Sequence, residues 1–213
     1  MTMLRGCDSP FDIASHGAAL RRRGIDFVMR RYSRDPNRNL DAREARGLSG
    51  AGLRIGTLWE SGASLDGLSR RQGLLDGAEV LLLARAAGQP PGSAIYFGVS
   101  AHAARGDLDG VLRNYLMGVR MALGGIDGYR VGVHSSQARC AGLVDRGLAA
   151  FSWLAQAALD AGSARHALLQ WPAARIVLDG AELRLSPVLG QPDCDTGLFR
   201  LAGRSLALGI VRR

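Results

Sequence analysis

Four short apolar runs in the chain each end in polar side chains that can take part in chemistry. The runs cover residues 9–12, 27–32, 55–60 and 95–100, and they end at Asp12, at Arg31 and Tyr32, at Glu60 and at Ser100. Segments with helical spacing of apolar residues separate them. This alternation is typical of a barrel or a doubly wound sheet of parallel strands, in which active sites form where the strands end. The pattern predicts an enzyme-like α/β scaffold in which Asp12 and Glu60 face each other across a pocket.

The same pattern predicts seven strands, at residues 6–13, 26–32, 53–60, 94–100, 129–134, 149–153 and 166–171. Helices are predicted at residues 15–23, 41–48, 72–87 and 108–123, and the second begins with Asp41 as N-cap and Glu44 at N3, a variant of the capping box. Around Asp179 and Gly180 the alternation predicts a β-hairpin over residues 176–185. No internal repeat or linker divides the chain. We therefore expect one domain, residues 1–213, folded as a compact or somewhat irregular (β/α)8 barrel with a hairpin near its C-terminus.

The net charge of the 213 residues is +8, and all 27 basic residues are arginine. Such a positive field favours polyanions such as nucleic acid, anionic cell-wall polymer or lipopolysaccharide. Apart from residues 21–23 and 30–31 the arginines are scattered, whereas nucleic-acid-binding modules more often show one basic stripe with interleaved aromatic residues. We therefore expect non-specific polyanion contact and no specific recognition of nucleic acid.

Cysteine and histidine spacing argues against a metal site. Cys7, Cys140 and Cys194 cannot form a closed disulfide framework, and no CxxC or HExxH motif occurs. We expect buried thiols, with a bridge between Cys7 and Cys194 as the minority alternative if the first strand closes against the last. No metal and no cofactor are expected.

The start of the chain lacks the apolar stretch of a signal peptide, and no window is apolar enough for a membrane span. We therefore expect synthesis in a bacterial or phage-infected cytoplasm without a signal peptide. A substrate in the periplasm or cell wall would then require a separate delivery machine.

Asp12 and Glu60 are the candidate catalytic residues. Glycoside hydrolysis needs two carboxyl groups, one protonated as an acid and one ionised as a base or nucleophile. Trp59 gives Glu60 an apolar neighbour, which raises the pKa of a carboxyl group as a general acid requires. The structural alternative is that Asp12 caps the following helix and Glu60 pairs with Arg30 or Arg31.

Other strand-end residues are candidates for substrate binding. An inward Arg31 could bind a substrate carboxylate or neutralise buried acids, and Trp59, Tyr96 and Trp171 offer flat faces for sugar rings, although aromatic residues in strands usually belong to the core. The remaining candidates are Tyr32, Ser100, His134, Gln170, Asp193 and Asp195. A hydrogen-bonded core histidine is the alternative for His134, and ordinary turn residues are the alternative for the two aspartates. No nucleophile elbow, P-loop or dinucleotide fingerprint occurs, which lowers the rank of those enzyme classes.

Several short motifs follow one another in a specific order. They are Phe11-Asp12 after Asp8, residues 24–32, 51–53, Trp59-Glu60, residues 92–99, 131–133, and Leu169-Gln170-Trp171. The order resembles the bacterial glycoside-hydrolase-like domain of the DUF1906 type, a relative in shape of the Chalaropsis-type (family 25) lysozymes. The resemblance spans nearly the whole chain and implies a TIM-like (β/α)8 barrel, a peptidoglycan or other glycan substrate, and strand-end acids at Asp12 and Glu60.

The chain departs from this family at two strand ends. Ser100 stands where the fourth strand usually continues into an aspartate, and His134 stands where the fifth strand usually carries a tyrosine. In the lysozyme relatives the fourth strand supplies essential acids, so either Asp12 and Glu60 suffice here, with help from Asp193 or Asp195, or the domain binds glycan without cutting it.

Two functional hypotheses follow. The first is a muramidase-like glycoside hydrolase of cell-wall glycan, with Glu60 as general acid and Asp12 as base or nucleophile, working as a phage-type lysin or a secreted antibacterial effector with delivery-machinery or immunity partners. The second is a non-catalytic glycan-binding module on a degenerate barrel. An arginine-rich nucleic-acid enzyme ranks below both.

Overall fold

The computed structural model describes residues 3–60, 67–99, 108–125, 128–155, 166–192 and 194–202. The strands are β1 (Leu4–Asp8), β2 (Phe27–Ser33), β3 (Arg54–Glu60), β4 (Ala94–Gly98), β5 (Arg130–Ser135), β6 (Phe151–Ala155), β7 (Leu168–Gln170), β8 (Ala174–Leu178) and β9 (Ala181–Gly190). The α-helices are α1 (Gly17–Arg22), α2 (Ala42–Gly50), α3 (Arg70–Ala87), α4 (Leu108–Leu123) and α5 (Gln137–Asp145). Short 3-10 turns cover Ala14–His16 and Pro36–Arg38.

Eight strands close into a barrel. Strands β1 to β7 follow one another in parallel, and β9 inserts antiparallel between β7 and β1, where Gly190 pairs with Leu168 on one side and Leu4 on the other. β8 lies outside the closed ring as the hairpin partner of β9. The predicted TIM-like barrel is therefore confirmed, and its irregularity consists of an antiparallel eighth strand.

The hairpin turn forms at the residues that the sequence indicated. Asp179 and Gly180 connect β8 to β9, and both have positive φ, 48° and 83°. Two consecutive left-handed residues are the requirement of a type I′ turn, which Asp-Gly meets because glycine has no Cβ to clash. The strands are longer than predicted, and the extra length of β9 closes the barrel.

Strand alternation divides the interior into two cores. Side chains that point into the barrel include Phe27, Met29, Tyr96, Phe151 and Trp153, whereas the intervening residues pack under the helices. The large rings fit because neighbouring strands carry glycine: a Cβ on Gly132 would lie 2.5 Å from the ring of Tyr96. These large side chains consequently fill the described interior of the barrel below the carboxyl ends of the strands.

The first strand is shorter than predicted. β1 ends at Asp8, and residues 9–13 form a loop. In this loop the Ser9 hydroxyl donates a hydrogen bond to the Phe11 carbonyl oxygen and accepts one from Phe11 N. The predicted strand over residues 6–13 is therefore wrong at its end. Pro10 has no N–H for a strand ladder, which agrees with this early stop.

The cap of α2 is confirmed in part. The Asp41 carboxylate accepts a hydrogen bond from Glu44 N at 2.7 Å, as predicted for an N-cap. The Glu44 side chain is buried and binds Arg30, so it does not complete a capping box. All three cysteines are free, with Cys7 and Cys140 buried and Cys194 exposed, so the expectation of buried thiols fails at Cys194.

Candidate functional site

One arginine joins two carboxylates where β1, β2 and β3 end. The terminal nitrogens of Arg31 bind both oxygens of Asp8, Nη2 to Oδ2 at 2.7 Å, and its Nε donates to Glu60 Oε1, also at 2.7 Å. Asp8 and Arg31 are buried, whereas the Glu60 side chain is 30% exposed. The cluster therefore has a buried end at Asp8 and an accessible end at Glu60.

Strand alternation places these three side chains on the same face. Cys7 packs in the core between the strands and the helices, and Arg30 forms a buried ion pair on the same side of the sheet. Because consecutive residues of a strand face opposite sides, Asp8 and Arg31 point into the barrel. Asp8 is paired with Met29, two residues before Arg31, and Glu60 is paired with Ser33, two residues after it. The long arginine side chain spans this stagger in both directions.

Each carboxylate has a second polar partner. Arg38 Nη2 binds Glu60 Oε2 at 2.8 Å, and Gln170 Nε2 donates to Asp8 Oδ2 at 2.9 Å. Burial acts to lower the pKa of Arg31, but the charges and hydrogen bonds of Asp8 and Glu60 outweigh it and raise that pKa. Two carboxylates and two guanidinium groups thus form a cluster without net charge.

His134 lies at the same end of the barrel, at the fifth strand. Its Nδ1 is 2.9 Å from the carbonyl oxygen of Trp153, and its ring stacks on that residue at 4.2 Å between centroids. A carbonyl only accepts, so Nδ1 carries the proton. Burial lowers the pKa of His134, which keeps the imidazole neutral at pH 7 and leaves Nε2 as an acceptor.

A buried ion pair fixes the loops around this cluster. Arg30 and Glu44 are almost fully buried and bind through Nε–Oε1 at 2.6 Å and Nη2–Oε2 at 2.9 Å. Arg30 also donates to the carbonyl oxygens of Ser9 and Arg38, and Glu44 accepts from Ile13 N. These bonds attach the loop after β1 and the backbone of Arg38 to the barrel wall, which positions the residues at the mouth.

Asp12 does not face Glu60, contrary to the prediction. It lies beyond the end of β1, where Oδ1 accepts from Ala14 N at 2.9 Å and Oδ2 pairs with Arg43 of α2. Partial burial acts to raise the pKa of Asp12, but the Ala14 and Arg43 hydrogen bonds lower it overall. The carboxylate that shares Arg31 with Glu60 is Asp8, four residues earlier.

Three predicted aromatic candidates are fully buried. Tyr32 and Trp59 point away from the barrel interior, Tyr32 donating to Gln89 at 3.0 Å and Trp59 lying under the guanidinium of Arg34. Tyr96 points inward, but its hydroxyl donates to Thr196 O, below the mouth. None of these rings offers a face to a sugar, because all three side chains are fully buried. In their strands Tyr32 directly follows Arg31 and Trp59 directly precedes Glu60, and consecutive strand residues face opposite sides.

Asp195 lies at the opposite end of the barrel. It pairs with Arg130, the first residue of β5, and accepts from Gly197 N at 2.8 Å. The predicted site residues Ser100 and Asp193 lie outside the described residues. The mouth therefore brings together Glu60, Arg31, His134 and Gln170 from the predicted set.

Trp171 follows Gln170 and is exposed at 39% on the rim of the barrel. Phe11, in the loop after β1, is exposed at 62%. Sequence analysis missed Phe11, Arg38 and the role of Asp8. Asp8 had a usable signal, since Ser9 and Pro10 directly after it predict a turn that ends the strand at this residue. Nothing local marks Arg38 as a partner of Glu60.

Within the described ranges, no three histidine, cysteine or carboxylate residues are grouped as a metal site requires. The helices in the same ranges are too short or too polar to cross a membrane.

The chain is similar in fold to several proteins of bacteria and their phages. The Tat-secreted protein Rv2525c of Mycobacterium tuberculosis, solved with L-tartrate, matches with a TM-score of 0.73 and 19% identity over 90% of this chain and 96% of that one. The catalytic domain of endolysin ply40 from Listeria monocytogenes bacteriophage P40 gives 0.58 and 15% over 90% and 94%. The autolysin LytC of Streptococcus pneumoniae with a synthetic peptidoglycan ligand gives 0.59 and 14% over 88% and 46%.

A comparison with curated protein sequences gives no match. The family described as "Rv2525c-like, glycoside hydrolase-like domain" matches residues 18–176, about three quarters of the chain. The chain therefore belongs to the Rv2525c-like family of glycoside hydrolase-like domains.

Proposed function

We propose that the barrel mouth binds a bacterial cell-wall glycan and hydrolyses it with Asp8 and Glu60 as the carboxylate pair. The observation that carries the proposal is the bridge of one guanidinium, Arg31, between these two carboxylates at the carboxyl ends of β1 and β3. In barrels of this kind catalytic groups come from the ends of different strands. The similar folds of an endolysin catalytic domain and of an autolysin with a peptidoglycan ligand support this substrate class.

The two carboxylates differ in access, which assigns their roles. Glu60 is the accessible group and delivers a proton to the leaving-group oxygen, for which it must first release Arg38, a residue whose side chain is one-third exposed and free to yield to a sugar. Asp8, held by Arg31 and Gln170, stabilises the positive charge that develops on the sugar ring as the glycosidic C–O bond breaks. A water molecule then forms the new C–O bond at the same carbon and gives one proton back to Glu60. Trp171 and Phe11 on the rim supply stacking faces, and His134 Nε2 accepts from a hydroxyl.

Binding without cleavage is the second candidate, and a specific contact favours it. Each oxygen of Glu60 accepts a hydrogen bond from an arginine, so neither carries a proton while these bonds persist. A mouth of this kind binds sugar hydroxyl groups through Arg31, Arg38 and Gln170 and performs no chemistry.

As a hydrolase of this substrate, the protein acts in the periplasm or cell wall, as a phage-type lysin or a delivered antibacterial effector with an immunity partner in the producing cell. The similar Rv2525c protein is Tat-secreted, which supports a place of action outside the cytoplasm.

The test is digestion of purified peptidoglycan by wild type, Asp8→Asn and Glu60→Gln, with soluble products read by mass spectrometry. Asp12→Asn is the matched control, because it neutralises a carboxylate at the same end of the barrel and retains a capping oxygen for Ala14 N. We expect new reducing ends from wild type and from the control, and none from the other two variants. Sedimentation with intact sacculi and no released product from any protein would establish the binding module instead.

A further inference from the structure

A cleft lined by arginines lies on the helical face of the barrel. Its volume is about 640 Å³, and its lining residues are Arg70 of α3, Arg113, Met117, Arg120 and Met121 of α4, and Arg146 and Leu148 after α5. We call it the arginine cleft. Its size falls within the range of clefts that hold small ligands or a stretch of polymer.

The charge of the arginine cleft is concentrated and of one sign. Of the seven lining residues within the described part of the chain, four are arginines and none is a carboxylate. Arg120 donates one N–H to Gly147 O and Arg70 donates one to the Met121 sulfur, and a guanidinium has five N–H donors. Most of the donor capacity of these two arginines is therefore still available to an anion.

The rest of the lining is apolar. Met117, Met121 and Leu148 contribute to the walls, and Met121 is 58% exposed. A second cleft of about 400 Å³ shares Arg120 and Leu148 and runs along residues 147–150 towards Arg130. Because they share Arg120 and Leu148, the two clefts adjoin each other, and we call them together the groove. Its described lining combines arginines with apolar and backbone atoms.

The groove is separate from the barrel mouth. Arg120 lies near the end of α4, and Arg146 and Leu148 lie between α5 and β6, so both segments lead into the amino ends of strands. Asp8, Arg31 and Glu60 lie at the carboxyl ends. None of the described residues that line the groove belongs to the cluster of Asp8, Arg31 and Glu60 at the mouth.

We propose that the arginine cleft binds the phosphate groups of a linear, phosphate-bearing polymer through its guanidinium groups. Guanidinium groups bind phosphate in bidentate geometry and keep their charge at every physiological pH. A concave cleft can hold a polymer chain, whereas a flat membrane surface contacts the residues that protrude from a protein. The cleft then attaches the protein to an anionic polymer while the mouth engages its own ligand, and this role does not depend on hydrolysis at the mouth.

The test is binding of the full chain to a short fluorescent inorganic polyphosphate, followed by anisotropy over a series of salt concentrations. The test variant, Arg70→Gln/Arg113→Gln, lacks two arginines that line the cleft. The control variant, Arg23→Gln/Arg184→Gln, lacks two exposed arginines elsewhere. Each variant loses two positive charges, so both have a net charge of +6 instead of +8. We expect affinity to fall about tenfold or more in the first variant and less than about twofold in the second, because hydrogen bonds to a charged group are strong. The salt slope should fall by about one to two units in the first variant alone.

Equal losses in both double variants would mean that only the overall positive field attracts the polymer, and the proposal would be wrong. Vesicles with and without anionic phospholipid provide a second arm. Tight binding to the anionic vesicles that depends on Arg70 and Arg113, together with no binding of polyphosphate, would also overturn the proposal and assign the cleft to a membrane surface. Melting curves of both variants check that these exposed substitutions leave the fold intact.

Discussion

Replacement of Arg31 by methionine removes the group that neutralises a buried carboxylate. Asp8 is 4% exposed and would keep only the Gln170 hydrogen bond, whereas Glu60 is 30% exposed and would keep Arg38. Removing one partner of a buried ion pair costs about 3–5 kcal/mol. Because Gln170 still binds Asp8, we expect the lower end, about 3 kcal/mol, and a melting temperature lower by about 6–12 °C for a chain of this length.

The assay is urea and thermal unfolding of wild type, Arg31→Met and the matched variant Arg43→Met. Arg43 also binds a carboxylate, that of Asp12, but both side chains are exposed, at 70% and 39%. Exposed ion pairs contribute little to stability, so we expect Arg43→Met to melt within experimental error of wild type. The same chemical change is thus compared at a buried and at an exposed pair.

A double variant, Asp8→Asn/Arg31→Met, tests the cause of the loss. The amide of asparagine carries no charge and still accepts from Gln170, so we expect it to recover at least about half of the stability lost in Arg31→Met. Additive losses in the double variant, or equal melting temperatures for Arg31→Met and Arg43→Met, would refute the account of Arg31 as the counter-charge of Asp8.

Three further predictions concern the interior and the rim. Burial lowers the pKa of His134 in the folded protein, so as pH falls the unfolded chain binds a proton at this residue first, and stability is lost below about pH 6.5. The melting temperature of His134→Gln should therefore depend less on pH between about 7 and 5 than that of wild type. An unchanged pH dependence would contradict this. Gly132→Ala should destabilise the fold by about 1–3 kcal/mol in urea, because its Cβ meets the Tyr96 ring; wild-type stability would show that the ring can move. Trp171→Ala should weaken sedimentation with sacculi about fivefold or more while leaving the melting temperature near wild type, since the ring is exposed; unchanged sedimentation would exclude it from the binding surface.

The order of the strands and of α1 to α4 could be predicted from the chain, whereas α5 (Gln137–Asp145) was not predicted. Which residues of each strand face the barrel interior could not be predicted either. Sequence analysis placed Tyr32 beside Arg31 and Trp59 beside Glu60 at one site, although neighbours in a strand face opposite sides. Deciding which member points inward requires knowing where the strand starts relative to the barrel axis, and buried parallel strands are apolar on both faces. The same uncertainty extended β1 to residue 13 and selected Asp12 instead of Asp8.

Closure of the barrel depends on contacts between distant segments, which local patterns do not contain. The hairpin around Asp179 was predictable from turn chemistry, but the pairing of β9 with both β7 and β1 depends on which edges the other strands leave open. Asp195 illustrates the consequence. Asp195 was a candidate only on the condition that the tail of the chain closes the barrel beside the first strand. The strand that closes the barrel is β9, and Asp195 lies beside Arg130 at the amino end of β5.

The stagger of the strands explains why an arginine is needed at position 31. Asp8 and Glu60 lie two residues below and two residues above its level in the strand pairing, so no short side chain on β2 could reach both. A lysine ammonium is a single point charge and would bind one carboxylate or the other, whereas the guanidinium presents Nε to Glu60 and both terminal nitrogens to Asp8. The two carboxylates are therefore joined through the fork of one side chain where β1, β2 and β3 end.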